Sequence, residues 1–466
     1  MSGFVISRRS VLVGAGAAVG ALALPSHGPV LGAPRPTGAG VARMPAGGAD
    51  QQLLHDWIEQ IYASQRDARA LPPAAARVYG LTMLAAYEAT VDGVPGGRSL
   101  GGQLIDLPRR RPHAGGAAID WAVAANAAIT AVAVAANDDR SDSIRAALLA
   151  FGTDRHERLV AGLRPALVER STAHGDRIGA WLTAWCRTDG YAETRALEYV
   201  PPVGPGLWQA TAPNFGTAIE PHWHLVRPFA LPITRGADGY AIDEARPSPH
   251  LPFDTTVGSP FWQQANTVYE VSKNVTDAQR ETALYWRDNP DGVTGLPSGH
   301  WLQIAASVVA DMGLGLADAA RVLALTAIAT ADGFTSCWIE KYRSNLLRPI
   351  TYIRAHIDPS WSSIVNSPAF PEYTSGHSVG SGAAAEALAL LVGERRFTDH
   401  AAGSRTVEGV TLRPRTFASF TAAADEAAIS RLYGGIHYPM GIQNGVPQGR
   451  EVARRVIGSL RTGTFG

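Results

Sequence analysis

The 466-residue sequence predicts an all-α protein, a multi-helix bundle arranged in two halves. Three observations carry that prediction. Apolar residues recur at three- and four-residue spacing through most of the chain. Pro72-Pro73 stands at a helix start, and proline concentrates in two loops, 190–233 and 236–260, that separate the helical stretches. Hydrophobic residues make up 46% of the chain and charged ones 18%, enough to fill a sizeable core. The 41 basic residues balance the 41 acidic ones, so no global nucleic-acid footprint exists and any functional charge must be local.

The first segment, residues 1–33, reads as a twin-arginine export signal. Ser7-Arg8-Arg9-Ser10 precedes an apolar run, Val11 to Leu24, that is rich in Gly and Ala. That run is shorter than the ~20 apolar residues a bilayer span needs, and no stable membrane span is expected elsewhere. The expected location is periplasmic or extracellular. Residues 34–49 form a Pro/Gly-rich linker.

The first half, residues 50–235, opens with a helix over 51–66 carrying Leu53, Leu54, Trp57, Ile58 and Ile61 on one side. Pro72-Pro73 starts a second helix, an Ala-rich buried helix covers 117–136, and two more are expected over 154–169 and 175–188. From Gly190 to Ile233, prolines and tryptophans alternate densely, as in an ordered, helix-free loop laid over a scaffold. His222 and His224 flank Trp223 there, and packing explains them better than a metal clip does. Residues 236–260 form a connecting loop.

The second half, 261–466, is the expected catalytic half. Helices are expected over 262–273, 276–287, 299–312, from 316 toward 344, 378–392, 425–433 and 445–460. Lys341 and Arg348 lie seven residues apart, about two turns, so one helix face could present both. Pro349 then ends or kinks that helix, leaving Arg348 at its end. Ser375-Gly376-His377 opens a helix whose first N–H groups are free to bind an anion. Arg431 precedes His437 by six residues, and Gly434-Gly435 releases His437 into a loop. A planar guanidinium fork and a point-like ammonium both suit tetrahedral oxyanions. Cys186 and Cys337 are the only cysteines; their pairing is open, with a buried free thiol expected at Cys337.

Lys341 to Arg348-Pro349, then Ser375-Gly376-His377, then Ser430-Arg431 to Gly435 and His437, resembles the vanadium-dependent haloperoxidases and the acid phosphatases of the PAP2 superfamily that share their fold. Pro297-Ser298-Gly299-His300 also reads P-S-G-H but precedes Lys341, out of the family's order, and is taken as a helix start. The resemblance implies a helical bundle of the vanadium chloroperoxidase type. It implies vanadate held at its metal by His437 and at its oxygens by Lys341, Arg348, Ser375, Gly376 and Arg431. His377 would be the acid–base catalyst. Vanadium(V) would act as a Lewis acid, so that hydrogen peroxide oxidises halide to a hypohalous species that halogenates a small organic acceptor. Trp338 and Phe370 occupy positions where the fungal chloroperoxidase-like branch lines its halide site; as isolated residues they would equally serve as core aromatics.

The same residues would serve an exported acid phosphatase that needs no cofactor, with His437 attacking phosphorus, or an oxyanion-binding protein without turnover. One departure stands out. The family carries an Asp four residues after the last histidine, where this chain has Gly441. That Asp would orient an Arg or a His; either another carboxylate takes its place, with Asp288 and Glu340 as the candidates, or vanadate is held weakly. Glu372 and Thr374 stand where Pro is common. Oligomeric state is not legible.

Overall fold

The computed structural model describes residues 48–463, apart from 117, 233, 237, 242–244, 293–295 and 402–404. The export signal and nearly all of the linker lie outside the described residues. Fourteen α-helices are present among the described residues. In the first half these are α1 (Gly48–Asp67), α2 (Pro72–Thr90), α3 (Trp121–Ala135), α4 (Asp142–Val160), α5 (Pro165–Cys186) and the single turn α6 (Tyr191–Thr194). The second half holds α7 (Pro260–Lys273), α8 (Asp277–Tyr285), α9 (Pro297–Asp311), α10 (Leu316–Ser344), α11 (Pro349–His356), α12 (Gly376–Val392), α13 (Phe420–Tyr433) and α14 (Pro439–Ser459). Among the described residues the strands form three short two-stranded antiparallel ladders, so the all-α prediction holds.

Local chemistry accounts for the helix starts. Proline occupies the first turn of α2, α5, α7, α9, α11 and α14, where its missing N–H costs no hydrogen bond. Side-chain caps open others: Asp120 accepts from the Val123 N–H, Ser419 from Ala422, and Thr276 forms a reciprocal capping box with Gln279. Two expectations are corrected here. The helix expected over 154–169 straddles a break at Ala161–Arg164, where Gly162 takes φ +80°, and α4 and α5 lie on either side. The second is the shared face of Lys341 and Arg348. Helix α10 stops at Ser344 because Asn345 turns left-handed at φ +46°, and Arg348 becomes the residue before α11.

Helix α10 is the central rod. Its apolar window satisfies the length and composition of a membrane span, yet 94% of it is buried inside the protein, as suits a core helix. It packs on α2, α9, α12 and α14. The main core cluster runs through it and draws on both sides of the 236–260 stretch, from Trp57 and Leu84 to Leu323 and Leu388. A second cluster, with Phe261, Leu346, Tyr352, Tyr373 and Tyr438, gathers around α7 and α11.

The Pro-rich loop between α5 and α7 is fastened to α10. The buried Asp332 carboxylate accepts the main-chain N–H groups of Phe229, Ala230 and Leu231 at 2.7, 2.8 and 2.7 Å. Contrary to the helix-free expectation, this loop contains α6 and a 3-10 turn at Trp223–Leu225. Cys186 and Cys337 are both free and buried, which settles their pairing.

Helices α12 and α14 cross unusually closely, because glycine stands at the contact. A Cβ on Gly449 would lie 2.0 Å from the Val379 carbonyl oxygen, and one on Gly382 would lie 2.5 Å from that of Val446. Gly449→Ala is therefore expected to destabilise the fold by about 1–3 kcal/mol, read as a lowered denaturation midpoint with an unchanged m-value.

Candidate active site

The oxyanion-binding motif residues converge beneath one cleft. Trp338, Phe370, Gly376, His377 and His437 line it, together with Asp288, Asn289 and Pro368. Lys341, Arg348, Ser375 and Arg431 lie directly behind this lining, with no exposed surface.

Each cation is brought in by a different element. Arg348 donates from Nε to the Phe370 carbonyl at 2.7 Å and from Nη1 to the Ile436 carbonyl at 3.0 Å. Its Nη1 also donates to His437 Nε2 at 3.2 Å, while Nη2 is buried without a partner. Arg431 donates from Nε to Ser430 Oγ at 2.9 Å and from Nη2 to the Ala283 carbonyl at 3.0 Å, and its buried Nη1 has no partner. Lys341 is different. Its Nζ reaches the carbonyls of Pro371 at 3.0 Å, Glu372 at 2.9 Å and, closer still, Thr374. An ammonium has three N–H donors, so all are committed to the loop before α12. Burial lowers Lys341 to about 8, and Arg348 and Arg431 each to about 10, so the cluster is held at an electrostatic cost.

Burial, reinforced by Arg348 and Lys341, pushes His437 well below the usual imidazole range, so its ring is neutral. The hydrogen bonds fix its tautomer. Arginine can only donate, so Nε2 facing Arg348 is the acceptor. The proton therefore sits on Nδ1, which donates to Glu372 Oε1 at 2.7 Å. The same Oε1 accepts the Tyr438 N–H at 3.0 Å. Burial raises Glu372 to about 7, with Lys341 and Arg348 opposing.

His377 sits in the first turn of α12, after Ser375 accepts the Ser378 N–H as N-cap at 3.3 Å. It bonds the main chain of Trp286, its Nε2 has no partner, and burial with the nearby Arg431 drives its pKa well down. In the same cleft, Trp338 and Phe370 pack with centroids 4.9 Å apart and ring planes tilted by 51°. The Phe370 ring also lies 4.9 Å from Lys341 Nζ and 4.6 Å from Arg348 Cζ.

Some site residues were not foreseen. The two carboxylates expected to replace the Asp missing at 441 are engaged elsewhere: Asp288 holds His300 Nδ1 at 2.9 Å, and Glu340 pairs with Arg343. The carboxylate on the imidazole is Glu372. His300 is more than a helix start. It is fully buried between Asp288 and Asp399, with Nε2 2.8 Å from the latter, and stacks 4.7 Å from Trp286, whose main chain holds His377. The two carboxylates outweigh burial and raise His300 to about 10. Its P-S-G-H setting was the available signal, and its order in the chain argued against using it.

Three buried cations near a neutral histidine on an all-α scaffold are a donor set suited to a tetrahedral oxyanion. Comparison with known proteins narrows this. Residues 321–463 match the family described as the VCPO second helical-bundle domain. The vanadium chloroperoxidase of Curvularia inaequalis is 29% identical over 129 residues, a stretch that spans 22% of this chain and 21% of that protein. The crystal structure of the first bacterial vanadium-dependent iodoperoxidase superposes with a TM-score of 0.79 at 33% identity, covering 89% of this chain and 97% of that one. The apo form of a bacterial vanadium-dependent chloroperoxidase shares the fold at 16% identity and a TM-score of 0.60, over 84% of this chain and 95% of its own. The chain belongs to the vanadium-dependent haloperoxidases, a family of peroxidases.

His300 sets a pH signature. Its folded pKa of about 10 lies above the ordinary 6.5, so the bound proton stabilises the fold fully below 6.5 and progressively less toward 10. Thermal unfolding of the native protein should thus lose its advantage over His300→Asn across that window. Parallel curves for the two proteins would mean a neutral imidazole.

Proposed function

We propose that this protein is a vanadate-dependent haloperoxidase that uses hydrogen peroxide to oxidise a halide, the hypohalous product halogenating a small organic acceptor. One observation carries the reading: Arg348 Nη2 and Arg431 Nη1, both buried and without partners, flank the neutral His437. Orphaned guanidinium N–H groups are costly unless an anion completes them, so the residues present fit vanadate.

His437 Nε2 would hold the metal after releasing its contact with Arg348. Arg348, Arg431, Ser375 and the Gly376 N–H would bind the oxygens, at the positive end of α12. Lys341 supplies charge from behind and must give up a carbonyl to touch the anion. Bound vanadium(V) would supply the Lewis acidity that makes peroxide electrophilic. His377 Nε2, neutral and free, would take a proton from incoming peroxide and return it to the departing oxygen. Trp338 and Phe370 would form the apolar wall against which the halide approaches.

The phosphatase reading draws on a specific feature as well, since a neutral imidazole buttressed by Glu372 suits a nucleophile. A paired assay separates the two. Vanadate- and peroxide-dependent bromination of a phenol dye is the expected result. Phosphate release from an aryl phosphate, inhibited by vanadate and without bromination, would replace the peroxidase reading with the phosphatase one. His377→Ala should cut halide oxidation by about 10²–10⁴-fold while vanadate remains bound, as equilibrium dialysis would show.

A further inference from the structure

Gly441 and Glu372 behave as one exchanged pair. A Cβ on Gly441 would fall 2.5 Å from Glu372 Oε1 and 3.0 Å from Oε2. No other side chain at 441 leaves room for the carboxylate where it now lies. The two segments are also tied through the main chain, with the Ser375 N–H donating to the Gly441 carbonyl at 3.0 Å. Glu372 has no exposed surface, and both bonds it makes, to His437 Nδ1 and the Tyr438 N–H, use Oε1. That carboxylate therefore reaches the imidazole from the loop before α12 rather than from the start of α14.

We infer that Glu372, reaching in from the loop before α12, is the positioning residue for His437, and that the missing side chain at Gly441 gives its carboxylate room. Glu372 keeps the proton on Nδ1 and so presents the Nε2 lone pair to the bound metal. The inference rests on the proposed role of His437, and it concerns which residue orients that ring. Glu372 touches no substrate itself. A carboxylate at both positions would bring two buried negative charges into contact, so an Asp at 441 and the Glu372 carboxylate in its present place exclude each other.

The test compares Glu372→Ala, Glu372→Gln and the transplant Glu372→Ala/Gly441→Asp with the wild type. Nitrogen-15 spectra of the histidines in vanadate-free protein read the His437 tautomer, and equilibrium dialysis with vanadate reads affinity. Glu372→Ala should mix the tautomers and weaken vanadate binding by about 10–100-fold. Glu372→Gln, which keeps an acceptor oxygen, should fall between it and the wild type. The transplant should restore the Nδ1–H tautomer and most of the affinity. The inference is overturned if Glu372→Ala keeps both the wild-type tautomer and affinity, or if the transplant binds no more tightly than Glu372→Ala. Should Glu372→Ala fail to fold, a folded transplant with the Nδ1–H tautomer upholds the inference. A transplant that also fails, beside an unchanged Glu372→Gln, overturns it. Wild-type protein that binds no vanadate defeats the functional proposal, while the tautomer still decides the role of Glu372.

Discussion

The site depends on one constraint: Lys341, Arg348 and Arg431 are buried together with too little negative charge to neutralise them. Each has lost its hydration, which is why all three pKa values are lowered. Only Glu372 is buried against two of them, and its own carboxyl is pushed up to about 7. Main-chain carbonyls satisfy most of the other donors, and what remains is a positive cavity with two orphaned guanidinium NH2 groups. An oxyanion is the ligand that best resolves this imbalance.

Such a cluster persists only on a frame rigid enough to prevent its relaxation. Helix α10 carries Lys341 near its C-terminus and is clamped along its length by core helices. The loop before α12 wraps three carbonyls around the Lys341 ammonium, which binds the lysine to the motif that follows. The glycine crossing of α12 and α14 sets Ser375 against Gly441, and hence brings the start of α12 against the segment that carries His437. Asp332 fastens the Pro-rich loop to the same rod, and that loop supplies the Ile219 carbonyl that accepts the Trp338 indole N–H at 3.1 Å. Stability and pocket shape therefore share the same contacts.

The histidines divide their roles by environment. Burial and positive neighbours keep His377 and His437 neutral, the state the proposed proton transfer and metal binding require. His300, between two carboxylates, is held charged in a site just as buried. Burial alone would lower all three; His300 has a carboxylate at each ring nitrogen, whereas Glu372 on His437 is opposed by Arg348 and Lys341.

The sequence by itself determined the helical class and the order of the elements, and it singled out the candidate residues that the fold brings to one cleft, because helical periodicity and the three short motifs are local patterns. Helix ends were less legible: nothing in the spacing of Lys341 and Arg348 reveals that Asn345 turns left-handed and breaks their shared face. Tertiary structure alone decided which carboxylate reaches which ring. Glu372 and His437 are 65 positions apart, and Asp399 is 99 from His300, so no local pattern encodes either pair. The missing Asp at 441 was visible in the sequence, but its replacement depended on the room left by a glycine on another element. Packing geometry, which brings distant segments within hydrogen-bond reach, is a property of the folded chain and has no signature in the spacing of residues along it.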